Sequence, residues 1–128
     1  MAAAAAAAVV GTQADAAIGV GARAACTLSA HMQAAGHHPT ANRPWRISVT
    51  TRPASVLVTV TYQFFYQSQL VATAYPFRRP SSYSFRGHYT EPAVIWPSRA
   101  IGYQLRMRVH LTSSCGTRDL NYSIKVHR

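Results

Sequence analysis

A stretch of 128 residues has room for one domain. Thirteen Lys and Arg stand against three Asp and Glu, a formal net charge of +10. Such a surface attracts polyanions (nucleic acid, acidic cell-wall polymers, anionic lipid headgroups) and disfavours cationic ligands. Twelve of the thirteen bases are arginine and alanine abounds, a composition that a GC-rich genome also produces with no binding role behind it.

The chain opens with Ala2 to Ala8, Val9 and Val10, and stays rich in Ala and Gly as far as Ala25. Ala22-Arg23-Ala24 is an A-x-A cleavage pattern just ahead of a change in composition, so residues 1–24 read as a signal peptide. The alternative is a disordered Ala-rich leader. Either way the domain spans residues 25–128, which keep twelve bases and two acids. The leader is too short and too polar to serve as a transmembrane helix. A secreted or cell-surface location follows from the signal reading.

Cys26 and Cys115 are the only cysteines and flank nearly all of the domain. In an exported chain such a pair forms a disulfide, worth about 4–5 kcal/mol of unfolded-state entropy for so long a loop. Two separate buried thiols are the alternative. A zinc site lacks the four-ligand set and the CxxC spacing.

From Thr27 to Pro44 the sequence is mixed, and is expected to form a short strand or irregular lead-in, with one helical turn over Ser29 to Ala35. Trp45, Ile47 and Val49 then alternate with Arg46, Ser48 and Thr50, the period of a half-buried strand. Arg52-Pro53-Ala54-Ser55 is a turn. Val56, Val58, Val60, Tyr62, Phe64 and Tyr66 form one face of a long strand, with Leu57, Thr59, Thr61, Gln63 and Phe65 on the other. Gln67-Ser68-Gln69 turns it back into Leu70 to Tyr75. Tyr83, Phe85, Gly87 and Tyr89 alternate with Ser84, Arg86 and His88, and Gly87 marks a bulge or a close backbone approach. Glu91-Pro92 is expected to break the chain before a short run from Ala93 to Trp96. Pro97 to Gly102 is a crossing loop. Gln104 to Thr112 and Leu120 to Val126 form a final pair joined by Ser113 to Asp119.

Runs of this kind, separated by Pro, Gly and Ser, predict an all-β antiparallel β-sandwich of about seven strands. Over residues 43–128 the order of Pro44-Trp45, Tyr62-Gln63-Phe64 and its hairpin, Trp96-Pro97, Ala100-Ile101-Gly102, Leu105 to Val109 and Leu120 to Val126 resembles small exported bacterial domains of immunoglobulin-like or fibronectin-III-like architecture. The resemblance implies adhesion, carbohydrate or protein binding, or a spacer role, with a protein or cell-envelope polysaccharide as partner. The cysteines depart from the immunoglobulin pattern. Ser113 stands where a Tyr precedes the second Cys, and Cys26 lies too far before Trp45. A bond between them would clip a terminus to the last hairpin.

Candidate chemistry is sparse. Beyond residue 24 only Glu91 and Asp119 are acidic, each in an expected turn, where Asp119 would order the backbone by Asx-type bonds. A triad assembled from Ser98, His110 and Asp119 lacks the Gly-x-Ser-x-Gly elbow of a small hydrolase. His31, His37 and His38 have no acidic or thiol neighbour, so no metal and no cofactor is expected. Tyr62, Phe64, Phe65, Tyr66, Tyr75, Phe77, Tyr83, Phe85 and Tyr89 crowd together among Arg78, Arg79 and Arg86, as core or as a stacking surface. Phe65 discriminates: with Tyr62 and Phe64 buried, it should be exposed or covered by a partner. Arg106, Arg108 and His110 form a basic stripe that Lys125 and His127 on the paired strand would widen into a polyanion-binding face, with Arg86 a further candidate.

Overall fold

The computed structural model describes residues 25–128; the expected leader, residues 1–24, lies outside them. Eight strands follow in order: β1 Ser29–Ala34, β2 Pro44–Arg52, β3 Leu57–Tyr66, β4 Gln69–Ala74, β5 Tyr83–Arg86, β6 His88–Ile95, β7 Gln104–Ser113 and β8 Gly116–Lys125. Two short 3-10 turns, Pro76–Arg78 and Ser98–Ala100, lie between them. One antiparallel sheet has the order β1-β2-β6. The other runs β8-β7-β3, with β4 and β5 both on the far edge of β3. No helix among the described residues is long and apolar enough to cross a membrane.

The two-residue rhythm fills the space between the sheets. Ile47, Val49, Val58, Val60, Met107, Val109, Leu111 and Ile124 are fully buried, with Tyr62, Trp45 and Trp96 beside them. Each such aliphatic side chain contributes roughly 1.5–3 kcal/mol relative to exposure. Register locks the pattern: Val60 opposes Leu111, Tyr62 opposes Val109 and Phe64 opposes Met107. Slipping β7 by one residue would turn Arg106 and Arg108 into the core, so the pairing is strongly specified.

Three local expectations change. Residues 29–34 form a strand, not a helical turn, because Ala30, Met32 and Ala34 alternate against the core beside β2. Pro92 does not break the chain. The register shift opposite Arg46 lets a proline sit in an edge strand, where no ladder donor is needed. The span Ser113 to Asp119 is mostly strand, with Asp119 paired to His110 across the β7–β8 ladder. Two turns show their mechanism. Gln67 and Ser68 both take positive φ, 49° and 70°, as a two-residue turn joining twisted strands requires. Gly87, at φ +76°, passes the chain from one sheet to the other; a Cβ there would lie 3.3 Å from Ala54.

One side of the sandwich is sealed. Cys26 and Cys115 are bonded, with Cα atoms 5.1 Å apart, clipping the segment before β1 to the β7–β8 turn. Leu28 N donates to Cys115 O, and Arg118 Nε donates to Leu28 O at 2.7 Å. Residues 37–41 run beside the end of β8, with Lys125 N bonded to His37 O and Ala41 N to His127 O, each at 2.8 Å. On the opposite side the β5–β6 junction closes one half. Along the other half the outer edges of β4 and of β6 pair with no strand among the described residues.

Candidate functional site

Where β4 and the C-terminal half of β6 diverge, a cleft of about 750 Å³ opens between the sheets. Tyr62, Phe64 and Tyr66 from β3 and Trp96 after β6 form its walls. Aromatic packing fixes them: Phe64 meets Trp96 edge-on at 5.4 Å, Trp96 meets Trp45 at 5.6 Å, and Tyr66 meets Tyr103 at 5.4 Å. Ala72 opposes Phe64 on the inward side of β4 yet is exposed, because no facing strand covers it. Arg78, Arg79 and Arg99 also line the cleft.

Glu91 lies at the inner end, 5% exposed. Its Oε1 accepts from Tyr62 Oη at 2.8 Å, and its Oε2 accepts from the Phe77 backbone N at 2.9 Å. Tyr62 spends its single proton on Glu91, so the 2.9 Å contact to Tyr89 runs from the Tyr89 hydroxyl to Tyr62 Oη. Glu91 thereby pins the 76–79 segment, where Phe77 and Arg78 take positive φ. The carboxylate expected in a turn is instead a buried strand residue.

Burial raises the pKa of both Tyr62 and Tyr89 above the usual phenol range, with the neighbouring Glu91 charge adding to the shift. A raised folded-state pKa means the unfolded chain releases these protons first. Stability is therefore complete below pH 10 and falls as pH rises above it, by about 1.4 kcal/mol per pH unit for each phenol. Phenolate absorbance on alkaline titration should show two of the seven tyrosines ionising only with unfolding. Seven smooth titrations in a folded protein would contradict this network.

Five of the basic-face residues share a surface. Register places Arg106, Arg108 and His110 opposite Phe65, Gln63 and Thr61, Arg86 opposite Leu57, and Lys125 beside Gln104, all on the outer side of the larger sheet. Phe65 is covered from within the chain: the Arg106 and Arg108 guanidinium carbons lie 4.7 and 4.4 Å from its ring centre. Arg86 Nε donates to Ser55 O at 3.1 Å. His110 Nδ1 donates a hydrogen bond to Asp119 Oδ1 at 2.6 Å, the one contact of a His, Lys or Arg side chain with a carboxylate among the described residues. Asp119 thus acts across the ladder and not as a turn residue. Ser98, in the turn after β6, is not bonded to this pair.

The histidines are dispersed. His37 stacks on Tyr122 at 4.1 Å and bonds Ser123 O, while His38 contacts His127. Among the described residues no group of three or more His, Cys, Asp or Glu could hold a metal. Of the aromatic cluster, Tyr62, Phe64, Tyr66 and Tyr75 line the cleft, whereas Phe85 and Tyr89 fill the core. Tyr103 and Arg99 were not singled out by sequence; neither lies in an alternating run that would mark a face. Compared with known proteins, the chain matches no family model and no curated protein.

Proposed function

We propose that this chain is a non-enzymatic binding module of the cell surface or extracellular space, holding its ligand in the cleft between β4 and β6. One observation carries this reading. The cleft joins aromatic walls to three arginines, and its one carboxylate is already engaged by two internal donors, with no histidine on the lining. That arrangement offers apolar and anionic recognition without a poised acid–base pair. The Cys26–Cys115 bond supports an oxidising compartment, and with it the reading of residues 1–24 as a cleaved leader. Strand order supports an immunoglobulin-like assignment. β1, β2 and β6 take the places of strands A, B and E, and β3, β7 and β8 those of C, F and G.

The test is an amide NMR titration with 1-anilinonaphthalene-8-sulfonate, an apolar anion. Shifts are expected at Tyr62–Tyr66, Ala72–Tyr75 and Ala93–Trp96. Shifts confined to the outer sheet face, or absent, would overturn the cleft as the binding surface.

A second reading, polyanion binding through Arg86, Arg106, Arg108, His110 and Lys125, is favoured by one specific observation. None of these arginines nor Lys125 has a carboxylate partner among the described residues, and two guanidiniums converge on one ring. If the four fixed cations contact anions, affinity for a teichoic-type polymer should fall about a hundredfold between 50 and 200 mM salt. Arg106→Ala with Arg108→Ala should flatten that slope by about half. Salt-independent binding would contradict the reading.

A further inference from the structure

Six residues of β4, Gln69–Ala74, carry a free backbone edge beside the cleft. Natural sheets guard such edges with Lys, Pro or inward-pointing charges. Here the strand reads Gln-Leu-Val-Ala-Thr-Ala and has none of them. Its Leu70 and Val71 are 49% and 54% exposed. Ile95 and Tyr103, also exposed, line the cleft with Val71, and exposed Phe77 lines an adjoining recess that shares Arg78, Glu91 and Ala93 with it. Of the six large exposed apolar side chains among the described residues, Leu57 and Leu70 lie elsewhere, Leu70 opposite Phe65 on the outer face of the sheet. Concentrated apolar exposure beside unpaired strand groups marks a protein contact, whereas scattered exposure needs no explanation.

Charge selects the occupant. Arg78, Arg79 and Arg99 line the opening, and none has a carboxylate within ion-pair distance among the described residues. We propose that an extended acidic segment of a partner protein docks here by adding a strand to the free edge of β4. Its main chain completes the β4 ladder, alternate apolar side chains enter the cleft, and its carboxylates meet the three arginines. Six residues of β4 span about 20 Å, which sets an occupant of six to eight residues. The proposal rests on the cleft reading above and adds to it the chemistry of the ligand.

The probe is an acetylated, amidated eight-residue peptide alternating glutamate and valine, followed by amide shifts and hydrogen exchange in the full domain. Binding should shift the cleft lining and slow exchange in β4. Two complementary versions, N-methylated on one edge or on the other, separate strand addition from side-chain capture. One should lose at least tenfold in affinity and the other should bind as the parent does. A lysine–valine analogue should bind at least tenfold more weakly, and Arg78→Glu with Arg99→Glu should reverse that order. Equal binding by both N-methylated peptides, with the lining still shifted, overturns strand addition but leaves the cleft reading intact. Equal binding of the lysine analogue overturns acidic selection. Shifts centred on Arg106 and Arg108, or β4 protection that rises with protein concentration alone, assign the peptide or the edge elsewhere and overturn the proposal.

Discussion

Replacing both cysteines, Cys26→Ser with Cys115→Ser, should lower the thermal midpoint by about 15–20 °C. The bond joins residues 89 apart in sequence. A cross-link of that reach restricts the unfolded chain by roughly 4–5 kcal/mol, and losses on removing such bonds run about 2–5 kcal/mol. For a domain near 100 residues each kcal/mol moves the midpoint about 4–8 °C. The native-state contribution is local. Leu28, buried and bonded through its backbone N to Cys115 O, and the Arg118 contact to its carbonyl would lose their anchor, so the segment before β1 should exchange fastest in the variant. Calorimetry of the oxidised protein, the reduced protein and the double variant reads the effect. Both reduced forms should melt together, well below the oxidised one. A variant within 5 °C of the native protein would show that the sealed side holds without its staple.

Glu91→Ala should cost about 2–5 kcal/mol, out of proportion to a small truncation at a strand edge. Two donors, Tyr62 Oη and Phe77 N, lose their acceptor, and an unsatisfied buried donor costs roughly 1–3 kcal/mol each. Phe77 and Arg78 also sit at φ 60° and 56°, a left-handed conformation that costs roughly 1–2 kcal/mol for each residue with a side chain. The Glu91 hydrogen bond offsets that strain, so its loss frees the 76–79 segment. A trypsin-type protease should then cut faster after Arg78 in Glu91→Ala than in the native protein. Glu91→Gln keeps one acceptor and should fall between the two. A Gln variant as stable as native, with unchanged cleavage, would show that the carboxylate does not organise this segment.

The contrast between β7 and β6 shows what a linear sequence can carry. From Leu105 to Leu111 every second side chain is apolar, and because one face is buried that rhythm alone set orientation and put Arg106, Arg108 and His110 outside. β6 resisted the same treatment. Glu91 before Pro92 has the signature of a break, and only the tertiary fact that β6 is an edge strand with a bulge opposite Arg46 makes a strand tolerable there. Phe65 illustrates the second gap. Its outward orientation followed from alternation, but its arginine cover depends on the β3–β7 register, which pairs it with Arg106. The cleft was the least legible part. It arises where the small residues Ala72 and Ala93 leave two strands apart, and small side chains carry no pattern that announces an opening.

The sandwich is closed on its stapled side and open between β4 and β6. Residue-resolved amide hydrogen exchange on the free, oxidised protein reads both sides at once. Amides of β3 and β7, bonded on both sides, should exchange only with global unfolding. The β4 amides directed away from β3, and those of Ala93–Ile95 directed away from β2, should exchange orders of magnitude faster, near the solvent rate. Uniform protection through β4 and the end of β6 would contradict the account, because it would mean that the edge offered to a partner is already covered.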